Sequence, residues 1–267
     1  MRRSSAAPLN AFVLHRHDWS ESSLILDVLT REQGRIVLVA KGAKRPHSQL
    51  RSILLPFQRL HLHLTHKRAE SESEIHVLRS AEWCGGHTLP PAATLLSGYY
   101  LNELLILALP RQDAHPLLFD AYADTLLALQ ASPPSTHTTG MAGTAGTAAT
   151  LRAFELLLLQ AMGVLPELGH ITATQEAVEP EQHYRLEPKS GLCRLGERAP
   201  VHDGLSGRAL LAIQAALDQG DGAALRQQCQ PVLTAIRPQL RAALHYHLGT
   251  TTLRTRQLMV DVQQLLD

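Results

Sequence analysis

The sequence predicts an α+β protein: a small five-stranded β-barrel over residues 1–83, then a helical domain over residues 84–267 with a small irregular or weakly β insertion. Three observations predict it. The first 83 residues hold five short aliphatic runs, with no room between them for crossover helices. The texture changes after Gly85, Gly86, Pro90 and Pro91. Beyond them, apolar residues recur at helical spacing in segments bounded by Pro and Gly.

The strands come first. Residues 10–14 are short and apolar, while residues 24–30 (LILDVLT) and 35–40 (RIVLVA) are rich in branched aliphatics, with Glu32, Gln33 and Gly34 as the turn between them. Residues 60–65 (LHLHLT) alternate apolar and polar, as a half-buried strand does. Residues 75–78 then lead towards Trp83. The segment 42–56 is basic and contains Pro46, which excludes a central strand. Five strands in about 80 residues fit a barrel of OB-fold size.

The helices follow. One is predicted over 92–109, stopped by Pro110, and one over 115–129, with Leu117, Leu118, Tyr122, Leu126 and Leu129 on a helical face. Residues 130–150 (QASPPSTHTTGMAGTAGTAAT) lack periodicity and read as a flexible low-complexity linker or insertion. Residues 151–162 are apolar almost all round, the pattern of a helix buried at a domain centre. Residues 163–203, with Pro166, Pro180, Pro188 and Gly191, read as irregular or weakly β. Helix is predicted again over 204–217, over 222–248 with Gly249 as a stop, and over 253–266 with Thr251 or Thr252 as N-cap.

With 45% hydrophobic and 18% charged residues in 267, the chain can bury a core and is not a disordered protein. No apolar run reaches the length of a membrane span, and MRRSSAAPLNAF lacks the apolar centre of a signal peptide. The expectation is a cytoplasmic protein without a membrane partner. Cys84, Cys193 and Cys229 lie far apart and offer neither a disulfide framework nor a CxxC metal pair.

Charge is unevenly distributed. Over residues 1–82, 13 Lys and Arg stand against 8 Asp and Glu, a net of +5 in a chain whose total is +1. Between Arg31 and Arg68, nine basic residues face one acid, Glu32. A merely solvated surface mixes signs, so this window points to a polyanion partner. Its candidates are Arg31, Arg35, Lys41, Lys44, Arg45, Arg51, Lys67 and Arg68. On an OB-sized barrel they would contact phosphates, giving salt-sensitive binding with little sequence preference. Aromatic platforms are scarce, with Trp19 and Phe57 the ones on offer. Arg254 and Arg256 are either an accessory phosphate contact or ordinary surface arginines.

Catalysis has no positive signal. His61, His63 and His66 spell HxHxxH, but on a strand the first two face one side and the third the other; Thr65 stands where a dinuclear hydrolase needs Asp. His170, His183 and Cys193 are too widely spaced for structural zinc and lack a fourth ligand. No GxSxG elbow, phosphate-binding P-loop or GxGxxG after a strand occurs. The expectation is a non-enzyme without a metal or other cofactor.

The N-terminal run resembles the RecO family: VLHRHDW, then SESSLILDVLTREQGRIVLVAKGAKRPHSQLRSILLPFQRL. SGYYLNELLILALP and HPLLFDAYADTLLAL are similar to the start of that family's helical domain, LRAFELLLLQAMGVLPEL to its central helix and LRTRQLMVDV to its C-terminal helix. The resemblance implies an OB-fold joined to a helical domain, located in the cytoplasm with the nucleoid. It implies binding of single- and double-stranded DNA, strand annealing and help in loading RecA. RecR and the acidic C-terminal tail of single-stranded DNA-binding protein (SSB) are the implied partners. Many relatives carry a four-cysteine zinc site after the position of Leu168, where this sequence reads GHITATQ; zinc is not carried over. The SSB tail, acidic with an apolar end, needs an apolar pocket rimmed by cations, and Arg111 and Arg152 are the expected rim. A protein-binding adaptor without DNA affinity is the rival reading, and a metal-dependent nuclease using His61 and His63 is a weaker one.

Overall fold

Alternation in the aliphatic runs becomes a closed barrel in the computed structural model, which describes residues 7–65, 75–86, 89–131, 145–196, 200–250 and 252–266. The strands are β1 (Leu9–Asp18), β2 (Leu24–Thr30), β3 (Gly34–Ala40), β4 (Arg59–Leu64) and β5 (His76–Trp83), closed in the order β1-β2-β3-β5-β4. All neighbours are antiparallel except β3 and β5, which run parallel, so this is an OB-like barrel. A single helical turn, α1 (Leu50–Ile53), lies in the basic segment between β3 and β4.

The residues at every second position fill the barrel: Ala11 and Val13, Leu26 and Val28, Ile36 and Leu38, Leu60 and Leu62. β1 and β2 are buried on their other face as well, a departure from simple alternation. The cause is a helix packed outside the barrel. In β1, Phe12 points away from the core, and its ring meets Phe119 at 5.2 Å and Tyr122 at 5.1 Å, both on α3 (Pro116–Ala131). Each of these fully buried rings contributes about 2 kcal/mol of hydrophobic stabilisation. The Tyr122 hydroxyl donates to Asn102 Oδ1 at 2.5 Å, and Asn102 Nδ2 donates to the Leu14 carbonyl at 2.9 Å.

Accordingly the first compact unit comprises Met1–Pro91 and Leu101–Gln130, and the second Ala92–Tyr100 and Ala131–Asp267. The division falls inside α2 (Ala92–Ala108), which ends ahead of Pro110.

The second unit is built on α4 (Ala145–Ala161), against which α6 (Gly222–Cys229) and α7 (Leu233–Leu248) pack; α5 (Gly207–Asp218) lies against α6. Helix α4 begins at Ala145 rather than at 151, so the last residues of the expected linker are helical, with Thr147, Ala149 and Thr150 buried. Alanine is the best helix former, and Thr150 satisfies its hydroxyl by donating to the Gly146 carbonyl at 2.8 Å. Residues 132–144 of that linker lie outside the described residues.

The helix expected over 222–248 is two helices, because Pro231 has no N–H to continue α6; a 3₁₀ turn, Gln230–Val232, separates them. Asp221 caps α6 by accepting from the amides of Ala223 and Ala224, and Gly249, at φ 64°, ends α7. The weakly β segment contains a hairpin, β6 (His183–Glu187) and β7 (Gly191–Arg194), extended by β8 (Leu205–Ser206) into a three-stranded sheet. Gln239 of α7 ties it down: its Oε1 accepts from the Leu186 amide at 2.7 Å and its Nε2 donates to the Asp203 carbonyl at 2.9 Å. The last helix, α8, spans Arg254–Leu266; Thr251, one expected cap, lies outside the described residues. Among the described residues no helix is long and apolar enough to cross a membrane.

Candidate nucleic-acid interface

At one end of the barrel, two loops are locked together. The backbone of Lys44 donates to the Ser22 carbonyl at 2.9 Å, and its ammonium donates to the Ser20 carbonyl at 2.8 Å and pairs with Asp18 at 3.3 Å. Ala43, fully buried in the barrel core, anchors the same loop. Gly42, at φ 71°, makes the turn out of β3, and successive bonds from Arg45 to Gly42, Ser48 to Arg45 and Arg51 to Ser48 coil the segment. With the backbone so fixed, Lys41, Arg45 and Arg51 stay exposed. Among the described residues no carboxylate pairs with any of the three.

Sequence reasoning missed the exposed end of β1 beside this loop. His15, Arg16 and His17 are all exposed, the two imidazoles lie 4.1 Å apart, and Arg16 donates to the Leu54 carbonyl at 3.2 Å. Its signal was the run HRHD at the end of a strand, whose place next to a loop some 30 residues away only the barrel reveals. Partial desolvation by its neighbours, reinforced by His17, holds the His15 pKa below its ordinary value.

The other candidates lie elsewhere. Arg35 is 13% exposed and fully engaged: its Nε donates to Asp27 at 2.9 Å, and its Nη1 to the Ile106 and Leu109 carbonyls at 2.5 and 2.6 Å. The guanidinium thereby caps the C-terminal end of α2. Arg31 forms a two-pronged pair with Asp120, at 3.0 and 2.9 Å, which raises its pKa further. Neither is brought to the basic loop. Lys67, Arg68 and His66 lie outside the described residues. Phe57 is fully buried in the first unit, with a positive φ of 69°, and offers no platform. His61 faces Asn10 at 3.2 Å, and His170 faces Glu167 at 3.1 Å. Among the described residues no group of three or more His, Cys, Asp or Glu could hold a metal ion.

A second cationic place belongs wholly to the second unit. Arg152 of α4, Arg237 and Arg241 of α7 and Arg256 of α8 line a cavity of about 370 Å³, together with Tyr100, Leu151, Leu233 and Met259. Among the described lining residues a single carboxylate answers them. Glu155, 1% exposed, accepts from Arg152 at 2.5 Å and from the Tyr100 hydroxyl at 2.7 Å. Burial raises the pKa of Glu155, an effect that Arg152 opposes, and lowers that of Arg256, where Arg241 and Arg237 add to it. The Nε of Arg152 is buried without a hydrogen-bond partner among the described residues. Of the expected rim, Arg152 therefore lines this cavity, whereas Arg111 is an exposed residue of the first unit. Arg254 is exposed on α8, and Arg256 belongs to the cavity.

Two family profiles match in tandem: "Recombination protein O N terminal" over residues 6–86 and "Recombination protein O C terminal" over residues 92–257. The chain belongs to the RecO family. It is similar to the DNA repair protein RecO of Albidiferax ferrireducens, with 46% identity over 96% of this chain and 95% of that one. The RecO of Polaromonas naphthalenivorans is 48% identical over 96% of each chain, and that of Paracidovorax citrulli 43% identical over 99% of each. The N-terminal RecO profile covers the strands of the barrel, and the C-terminal one takes in all four arginines of the cavity.

Proposed function

We propose that this RecO-family chain serves DNA repair and recombination as a mediator that binds DNA and makes or breaks no covalent bond. The observation that carries this reading is the locked loop with three exposed cations, Lys41, Arg45 and Arg51, that pair with no carboxylate among the described residues, flanked by Lys44 and Arg16. Such a surface neutralises phosphates on single or double strands without reading bases. Two strands held on it lose mutual repulsion and pair. The arginine cavity suits the C-terminal tail of SSB: Arg237, Arg241 and Arg256 for its acids, beside an Arg152 held by Glu155, and Leu151, Leu233 and Met259 for its apolar end. Docking there would bring the protein to SSB-coated strands, where, with RecR, it would help RecA to load.

The test is a salt series with a fluorescent single-stranded oligonucleotide, comparing wild type with Lys41, Lys44, Arg45 and Arg51 all changed to Ala. Wild-type affinity should fall steeply with salt, and the variant should bind more weakly with a shallower slope. Identical curves would move the DNA surface elsewhere. No binding by wild type even at low salt would favour a protein-binding adaptor. Independently, Arg241→Glu with Arg256→Glu should abolish binding of an SSB tail peptide and leave oligonucleotide affinity unchanged; retained peptide binding would remove the tail from this cavity.

A further inference from the structure

We infer that Trp19 is a stacking platform for an unpaired base and gives the basic loop its preference for single strands. The inference rests on the DNA-binding reading above. Trp19 sits at the tip between β1 and β2 and is 65% exposed, in a chain with only two tryptophans. At that exposure most of the indole is open to solvent and within reach of a stacking partner.

The tip is not loose. The Trp19 and Ser20 amides both donate to the Ser23 carbonyl, at 3.2 and 3.5 Å, and the Ser23 amide donates to Ser20 Oγ at 3.2 Å. Both chain neighbours of Trp19, Asp18 and Ser20, are held by the ammonium of Lys44. The backbone that carries the indole is thus tied to the loop that bears Lys41, Arg45 and Arg51. Asp18 and Glu21 are the acids beside it, and the first is already paired with Lys44. A cationic track for the backbone with an aromatic face beside it is the arrangement that binds single strands without sequence preference. Inside a duplex both faces of a base are covered by its neighbours, so along the helix the indole can engage only an unpaired base. Two strands lose this contact as they pair, and the annealed product is therefore released more readily than either strand.

The other tryptophan, Trp83, is 53% exposed at the end of β5, next to the register pair Leu60 in β4. Changing it to Phe leaves Trp19 as the sole indole reporter. In that background, saturation with oligodeoxythymidine should quench the emission, and a blunt duplex should not. Trp19→Ala should lower single-strand affinity roughly ten-fold while leaving duplex affinity and the salt slope unchanged, and Trp19→Phe should retain most of the binding. Equal single-strand affinity of Trp19→Ala and wild type would overturn the inference, as would equal losses on single and double strands. A wild type that binds neither DNA would remove the DNA-binding reading, and this inference with it.

Discussion

Arg35 stands in the most basic stretch of the chain and still belongs to its architecture. Its partners, Asp27 and the carbonyls of Ile106 and Leu109, make it the link between β3 and the end of α2. Changing it to Ala strands a largely buried Asp27 and two helix-end carbonyls, and should cost about 3 kcal/mol in denaturant unfolding. Oligonucleotide affinity of the remaining folded protein should not change; a matching loss of DNA affinity would return Arg35 to the interface. Glu155 has the same standing in the second unit. Glu155→Gln removes the one acid among four arginines and leaves Arg152 buried without its counter-charge, which should again cost about 3 kcal/mol by thermal or denaturant unfolding. Unaltered stability would mean that solvent screens the cluster. Sequence alone could not separate these roles. Arg31 and Arg35 read like Arg45, and only partners 71 to 89 residues away distinguish them.

At the scale of elements, the β2–β3 turn shows how closely helix and barrel fit. Gly34 has a φ of 68°, and a Cβ there would lie 1.8 Å from the Asp113 carbonyl oxygen in the connection between α2 and α3. The Gln112 amide donates to the Arg35 carbonyl at 2.9 Å in the same place, so the backbone cannot step aside cheaply. Gly34→Ala should therefore cost about 3 kcal/mol or more; a change under about 1 kcal/mol in denaturant unfolding would show that the connection yields. The alternation in RIVLVA and LHLHLT made the barrel legible, because one inward face dictates a period of two. The sheet β7-β6-β8 was less legible, since strands of five, four and two residues interrupted by Pro188 carry hardly a period. The arginine cavity was not legible at all as a unit: its cations come from α4, α7 and α8, from Arg152 to Arg256, and only those two stood out in the sequence, for different reasons.

Across the whole molecule, each unit contains a histidine held below its ordinary pKa of 6.5. Partial desolvation is the first cause for both, reinforced by His17 at His15 and by Arg241 and Arg256 at His245, whose Nε2 is buried without a partner among the described residues. The unfolded chain binds protons at these sites more readily than the folded one. Stability is therefore intact above 6.5 and declines as pH falls through that value towards the folded pKa. The unfolding midpoint should drop as pH falls below about 6.5, and His15→Asn with His245→Asn should flatten the drop; an equally steep drop in the double variant would assign it to other groups. The first unit also draws on two stretches of chain, and this orders events at the ribosome. β5 completes the ring of strands, yet the outward face of Phe12 stays wet until Phe119 and Tyr122 have emerged. In that interval the nascent chain presents an apolar stripe on a nearly finished barrel, the kind of surface that chaperones shield and neighbouring nascent chains adhere to.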